Sequence, residues 1–142
     1  MTNILFIEDE DFTMNPFFEG LKDEEYIVTT AKDGEEALRN LKGGKYNFDL
    51  IILDIMLPRG YASGVPSISE DIKTGDMGIE VLRQLRKEIK KFTPVIVLSA
   101  VSDDEIKSKV LDLGINRYFT KPISLMVFMD EVKKALSYEG KK

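Results

Sequence analysis

Four short apolar runs, each followed directly by a polar residue, are the feature of this chain that most limits its fold. The runs cover residues 3–7, 50–53, 95–98 and 118–120, and the residues that follow them are Glu8 and Asp9, Asp54, Ser99 and Lys121. Continuous apolar runs of this length are typical of strands buried on both faces of a parallel sheet. Because ligands bind outside the carboxyl ends of such strands, we expect these polar side chains to converge at one edge of one sheet.

The segments between the runs have helical spacing of apolar residues, and one further segment has the character of a strand. Helices are predicted over residues 12–22, 33–41, 78–90, 102–113 and 124–136, and the further strand over residues 26–30. Strand and helix therefore alternate five times. This alternation predicts an α/β fold, a doubly wound parallel sheet of five strands with five helices distributed over both faces.

Composition limits the chemistry that this chain can perform. The 142 residues, 43% of them hydrophobic, suit a single domain, and a net charge of −5 with interspersed signs indicates neither nucleic-acid nor membrane binding. Cysteine and histidine are both absent, which excludes thiolate nucleophiles, Ser–His systems and His-ligated zinc. With no basic apolar leader and no membrane-length apolar run, we expect a cytoplasmic location.

The predicted cluster of acids points to a divalent cation and to phosphoryl chemistry. Glu8, Asp9 and Asp54 would repel one another without a cation, and they suit Mg²⁺, which prefers carboxylate, water and phosphoryl oxygens. Lys121 could pair with a carboxylate or a phosphoryl oxygen, and Ser99 could donate a hydrogen bond to the same oxygen. A carboxylate such as Asp54 can act as a nucleophile and form an aspartyl phosphate. Taken singly, each acid could instead be a helix cap or a solvated side chain.

Five segments of the chain resemble the receiver domains of two-component response regulators, and the resemblance extends over nearly the whole length. The segments are ILFIEDE at 4–10, DLIILDIMLP at 49–58, GIEVLRQLR at 78–86, PVIVLSA at 94–100 and LGINRYFTKPI at 113–123. The resemblance implies a flavodoxin-like sheet with strand order 2-1-3-4-5. It also implies a regulatory phosphoprotein of a phosphorelay rather than a conventional enzyme.

The resemblance assigns a role to each residue of the predicted metal and acceptor site. Asp54 would be the phosphoacceptor and would take its phosphoryl group from a histidine kinase or a histidine phosphotransfer protein. Glu8, Asp9, Asp54 and the backbone carbonyl of Met56 would hold Mg²⁺. Lys121 would contact the phosphoryl group, with a cis peptide bond to the proline that follows it.

The resemblance also implies a switch. Ser99 would move toward the phosphoryl group and Tyr118 would move inward with it. The coupled movement would alter the surface of the fourth helix, fifth strand and fifth helix, and would thereby control a separate protein partner or a phosphorylation-dependent dimer.

Two departures from the family pattern have predicted consequences. Met56 and Val101 are apolar at positions where the family often has polar residues that position the attacking water, so we expect slow self-dephosphorylation. An insertion of about residues 59–77 follows the third strand. We hypothesise a lid or a kinase-recognition element that uses Arg59, Tyr61, Glu70, Asp71 and Asp76. A surface loop without a role is the alternative, and phosphotransfer by a chain lacking residues 62–73 would distinguish the two.

Several alternatives remain open at this point. The chain, predicted as a single receiver domain over residues 1–142, is expected to act without an attached output domain, or to relay phosphate as an intermediate shuttle. A receiver-like interaction module that is not phosphorylated would keep the fold without needing Asp54, Lys121 and Ser99. A Mg²⁺-dependent phosphohydrolase would need a second acid two residues beyond its nucleophile, and that position is Met56.

Overall fold

The structure is a computed structural model that describes residues 1–9, 12–44, 47–57, 76–100 and 103–139. Its elements, in chain order, are β1 (Asn3–Ile7), a 3₁₀ turn (Phe12–Met14), α1 (Asn15–Asp23), β2 (Ile27–Ala31), α2 (Gly34–Lys42), β3 (Leu50–Asp54), α3 (Met77–Arg83) with a π-helical turn (Gln84–Glu88), β4 (Val95–Ser99), α4 (Asp104–Leu113), β5 (Arg117–Thr120) and α5 (Leu125–Glu139).

All five strands are parallel and lie in the order β2-β1-β3-β4-β5, which confirms the predicted doubly wound, flavodoxin-like sheet. In the register of the sheet Ile7 lies beside Leu53, and Asp54 lies beside Leu98. Ser99 lies beside Thr120. The residues that follow these strand ends therefore meet at one edge of the sheet.

The helices cover both faces of the sheet, because alternate residues of the buried strands point to opposite sides. Helices α2, α3 and α4 pack on the face formed by residues such as Leu5, Ile51, Leu53, Val95 and Val97. Helices α1 and α5 pack on the other face, which includes Ile4, Phe6, Ile52, Ile96 and Leu98. On this second face the rings of Phe17 and Phe128 meet edge to face with 4.9 Å between centroids.

Side-chain caps explain where several helices begin. Asp33 accepts a hydrogen bond from the backbone N–H of Glu36 at 2.8 Å and starts α2. Asp103 starts α4 in the same way, and the hydroxyl of Ser124 accepts from the N–H of Val127 ahead of α5. Helix α1, predicted from residue 12, begins at Asn15 without a side-chain cap, because the preceding 3₁₀ turn leads directly into it.

The third helix begins at Met77, one residue earlier than predicted, and Asp76 precedes it. The remainder of the predicted insertion, residues 59–75, lies outside the described residues. Within α3 the buried carboxylate of Glu80 accepts two hydrogen bonds from Arg83 and one from Gln84. The hydrogen bonds from Arg83 lower the pKa of Glu80, so its charged form is stabilised.

Among the described residues, no helix combines the length and the apolar character that crossing a membrane requires.

Candidate functional site

The three acids predicted from separate parts of the sequence lie together at the carboxyl edge of the sheet. Glu8 and Asp9 follow β1, Asp54 ends the neighbouring strand β3, and one carboxylate oxygen of each lies within 4.8 Å of the others. Glu8 and Asp54 are only 4% and 6% exposed, whereas Asp9 is exposed. Two of the three acids in the cluster are therefore buried, and the third, Asp9, is in contact with solvent.

Both carboxylate oxygens of Asp54 have a donor. The ammonium group of Lys121 donates to Oδ2 at 3.0 Å, and the backbone N–H of Met56 donates to Oδ1 at 2.9 Å. Because burial makes a carboxylate without hydrogen-bond partners costly, these two bonds offset the loss of water around Asp54 and fix its orientation. Asp54 therefore has one cation and two further acids as close neighbours.

Lys121 reaches this position because the end of β5 is joined to the end of β4. The backbone N–H of Lys121 donates to the carbonyl of Ser99 at 2.7 Å, directly after the last paired residues of the two strands. The peptide bond between Lys121 and Pro122 is cis, as predicted. The strand pairing thus places the backbone of Lys121 where its side chain can reach Asp54, at 3.0 Å.

The two predicted switch residues, Ser99 and Tyr118, lie on the same pair of strands, β4 and β5. Ser99 is the last residue of β4 and is fully buried. Tyr118 is half-buried on β5, where it packs against the core, and the ammonium group of Lys107 on α4 lies 5.7 Å from the centre of its ring. Tyr118 therefore joins β5 to α4, while the switching roles of both residues stay predictions.

The donor set of this site fits a hard divalent cation. Three carboxylates and one ammonium group carry a formal charge of minus two, which one Mg²⁺ would neutralise. Oxygen ligands without nitrogen or sulfur ligands are the type that Mg²⁺ prefers. The backbone carbonyl of Met56 as a further ligand stays a prediction.

Two hollows include residues of the site, one of them Lys121 and the other Glu8. A groove of about 420 Å³ beside Lys121 is lined by Thr13, Met14, Phe17, Ala100, Pro122 and Ile123. A cleft of about 600 Å³ beside Glu8 is lined by Phe12, Asn15, Phe18, Thr30, Lys32 and Glu36. Neither hollow could be predicted from local sequence patterns, because each lining comes from separate segments of the chain.

Gly78 is a site residue that the sequence reasoning missed. A Cβ atom at this position would lie 2.5 Å from both the Cα and the carbonyl oxygen of Ile55, the residue that follows Asp54. The N–H of Gly78 donates to that same carbonyl oxygen at 3.1 Å. The first turn of α3 can therefore approach the backbone beside Asp54 only if residue 78 has no side chain. A glycine at the start of a helical pattern was the available signal.

The family comparison decides the class of this protein. A family model described as "Response regulator receiver domain" matches residues 4–133. The chain belongs to this family. Receiver domains are regulatory phosphoacceptor domains of two-component systems rather than conventional enzymes, and their family implies a histidine kinase as partner.

Curated relatives of this receiver domain are longer proteins. It is 37% identical over 142 residues to the uncharacterized transcriptional regulatory protein YkoG of Bacillus subtilis, a match that covers 99% of this chain and 53% of that protein. It is 34% identical over 131 residues to response regulator RR06 of Streptococcus pneumoniae, covering 92% and 51%. The chain thus spans about half the length of these relatives. Action without an output domain, and without nucleic acid, stays a prediction.

Solved structures support the same fold. A CheY-like response regulator receiver domain protein from Methanospirillum hungatei superimposes with a TM-score of 0.79 at 21% identity, covering 99% of this chain and 98% of that one. The receiver domain of the Francisella response regulator 1452 superimposes with a TM-score of 0.73 at 28% identity, covering 97% and 98%. The strand order of this receiver domain agrees with that of its CheY-like neighbours.

Proposed function

We propose that Asp54 accepts a phosphoryl group from the phosphohistidine of a histidine kinase or of a phosphotransfer protein, with Mg²⁺ held by Glu8, Asp9 and Asp54. The observation that carries this proposal is the position of Asp54. It is buried between the acid pair and Lys121, with its Oδ2 atom 3.0 Å from the lysine ammonium group. A carboxylate in this setting is oriented by two hydrogen bonds and lies next to an ammonium group that can stabilise a transferred phosphoryl group.

In the proposed reaction, a carboxylate oxygen of Asp54 forms a bond to phosphorus while the bond between phosphorus and the donor nitrogen breaks. The electron pair of the broken bond stays on the imidazole nitrogen of the donor. Lys121 then exchanges its contact with Oδ2 for one with a phosphoryl oxygen, and Ser99 donates a hydrogen bond to another. Bound Mg²⁺ would supply electrostatic stabilisation of the negative phosphoryl oxygens.

The proposed output is a change in the surface of α4, β5 and α5 that controls a separate partner or a dimer. Support for this route comes from the bond between Lys121 and Ser99 and from the contact between Tyr118 and Lys107 of α4. Apolar side chains exposed on this surface, which would suit a protein partner, are Leu111, Met126 and Val127. A cytoplasmic location and a role as a relay shuttle stay predictions.

Exposure of the chain to a small phosphodonor such as acetyl phosphate tests the proposal. We expect intact-mass spectrometry to find one phosphoryl adduct in the presence of Mg²⁺ and far less adduct when the metal is chelated. Peptide mapping should place the adduct on Asp54. Absence of any adduct, from acetyl phosphate and from beryllofluoride alike, would reject the proposal and leave the interaction module that is not phosphorylated.

The side chain of Met56 leads to a separate expectation, slow self-dephosphorylation of the phosphorylated chain. The Met56 side chain is 39% exposed two residues beyond the acceptor, and a thioether cannot orient a water molecule for attack as an amide or carboxylate can. The phosphorylated chain should therefore persist for minutes or longer, and Met56→Asn should shorten its lifetime. The decay of the adduct with time measures this, and Met126→Asn, on the exposed side of α5, is the control. A wild-type lifetime of seconds would contradict the expectation. Val101, the other predicted contributor, lies outside the described residues.

A further inference from the structure

A second groove lies at the opposite end of the sheet from Asp54. It has a volume of about 340 Å³ and is lined by Arg86, Phe92, Leu113, Gly114, Ile115 and Asn116. Phe92 is 72% exposed, and it precedes β4 at the end of that strand that lies away from the acid cluster. The length of β4, at about 3.3 Å per residue, places some 13 Å between the start of the strand and Ser99. The groove is therefore separate from the proposed phosphorylation site.

Arg86 builds one wall of this groove and holds it in shape. Its guanidinium group donates to the carbonyl of Gly114 from two nitrogens, at 3.1 and 2.8 Å, and to the carbonyl of Lys91 at 2.8 Å. On the neighbouring wall the side-chain oxygen of Asn116 accepts from the N–H of Val95 at 3.2 Å. These bonds connect the ends of α3, α4 and β4, so the groove is formed before any ligand arrives.

The rim of the groove, defined as the chain next to its lining residues Arg86 and Phe92, carries three lysines. Lys87 follows Arg86, and Lys90 and Lys91 directly precede Phe92. In the part of the chain that the structure describes, none of these three lysines has a carboxylate within ion-pair distance. Glu88, the single acid of residues 86–92, pairs with Arg83 instead. This local excess of lysines stands out in a chain whose net charge is −5.

The backbone of Lys90 adds a second observation. Its φ angle of 61° lies in the left-handed region, where a lysine is disfavoured relative to glycine or asparagine. Residues held in such conformations are found disproportionately at binding sites. The residue in this strained turn is thus a lysine, two positions before the exposed ring of Phe92.

From these features we propose that this groove docks an acidic protein segment that carries an apolar anchor residue. The anchor would fill the hollow between Phe92, Leu113 and Ile115, and its flanking carboxylates would pair with the lysines of the rim. An anionic membrane fits less well, because apart from Phe92 the apolar surface is concave and cannot enter a bilayer. Nucleic acid fits less well, because the hollow among Phe92, Leu113 and Ile115 suits an apolar side chain, and a sugar-phosphate backbone has none.

An NMR titration of the isotopically labelled chain tests this proposal with a defined probe. The probe is a capped peptide with a leucine–phenylalanine pair between glutamates, and its control has glycines in place of that pair. We expect saturable chemical-shift changes at the amides of residues 113–116 with the probe peptide and none with the glycine control peptide. Phe92→Ser should weaken binding at least about tenfold. Joint replacement of Lys90 and Lys91 by Gln should weaken it most at low salt, where the lysine charges are least screened.

Two matched variants serve as controls for the groove. Phe12→Ser removes an aromatic ring that is 85% exposed and lies in the cleft beside Glu8. Lys22→Gln removes an exposed lysine of α1. Neither change should affect probe binding. Absence of saturation, or equal binding by Phe92→Ser, would overturn the proposal. So would binding of phosphatidylserine vesicles or of a DNA duplex through the same residues without binding of the probe. Phosphorylation of Phe92→Ser at the wild-type rate is expected, so this test does not depend on the proposed role of Asp54.

Discussion

Replacement of Asp54 by asparagine should abolish phosphoryl capture, because the amide has no charged oxygen that can attack phosphorus. In the wild type, the ammonium group of Lys121 contacts the carboxylate oxygen Oδ2 of Asp54 at 3.0 Å. In the variant, an amide nitrogen or amide oxygen would take the place of that carboxylate oxygen. Retention of the fold is expected, since removal of one of three clustered carboxylates reduces the repulsion among them.

The decisive measurement is intact mass after incubation with acetyl phosphate and Mg²⁺. Asp103→Asn provides a matched control, because it makes the same chemical change in an exposed acid that caps α4, and asparagine is also a good cap. The control should form the adduct as the wild type does. Formation of a stoichiometric adduct by Asp54→Asn would show that another residue is the acceptor.

Replacement of Gly78 by alanine should cost stability and phosphoryl capture together. The new Cβ atom would lie 2.5 Å from backbone atoms of Ile55, which cannot swing aside as the tip of a side chain can. Overpacking of this kind typically costs about 1–3 kcal/mol. Because Ile55 lies between Asp54 and Met56, its displacement should also disturb the bond of 2.9 Å from the N–H of Met56 to Asp54.

Gly20→Ala is the matched control for this change. A Cβ atom there would approach only the ends of flexible side chains, Leu125 and Met129, at 3.3 Å, and alanine favours the helix by roughly 1 kcal/mol. Urea unfolding and the initial rate of adduct formation are the two measurements. A Gly78→Ala chain that unfolds at the wild-type urea concentration and reacts at the wild-type rate would refute the argument.

The edge where the site lies could be predicted from the sequence because parallel topology brings the ends of strands together. Glu8 follows the buried strand β1 and Asp54 ends the buried strand β3, so knowledge of the strands was enough to place them side by side. Lys121 follows β5, which was predicted to be buried on both faces but is an edge strand with half-buried and exposed residues, and the parallel order alone brings its end to the same place. The distances among them depend on register, such as the pairing of Ser99 with Thr120, and no local pattern encodes register between strands that are distant in sequence.

Contacts between distant segments account for what the sequence did not reveal. The close approach of Gly78 to Ile55 depends on how α3 is oriented after residues 59–75, and the bond from Arg86 to Gly114 joins residues that are 28 positions apart. The π-helical turn Gln84–Glu88 is similar: the predicted helix runs through it, and only the hydrogen bond from the N–H of Ile89 to the carbonyl of Gln84 reveals the wider winding.

The bonds from Arg86 to the carbonyl of Gly114 have a mechanical consequence for α4. They anchor the helix at its last turn to the end of α3, whereas its first residue, Asp104, lies about 15 Å away along the helix axis. Any tilt of α4 would then pivot about Gly114, with the smallest displacement at Leu113 and the largest at the opposite end. A small shift near Ser99 would then reach a partner protein as a tilt of the whole helix α4, with an amplitude that increases from Gly114 to Asp104.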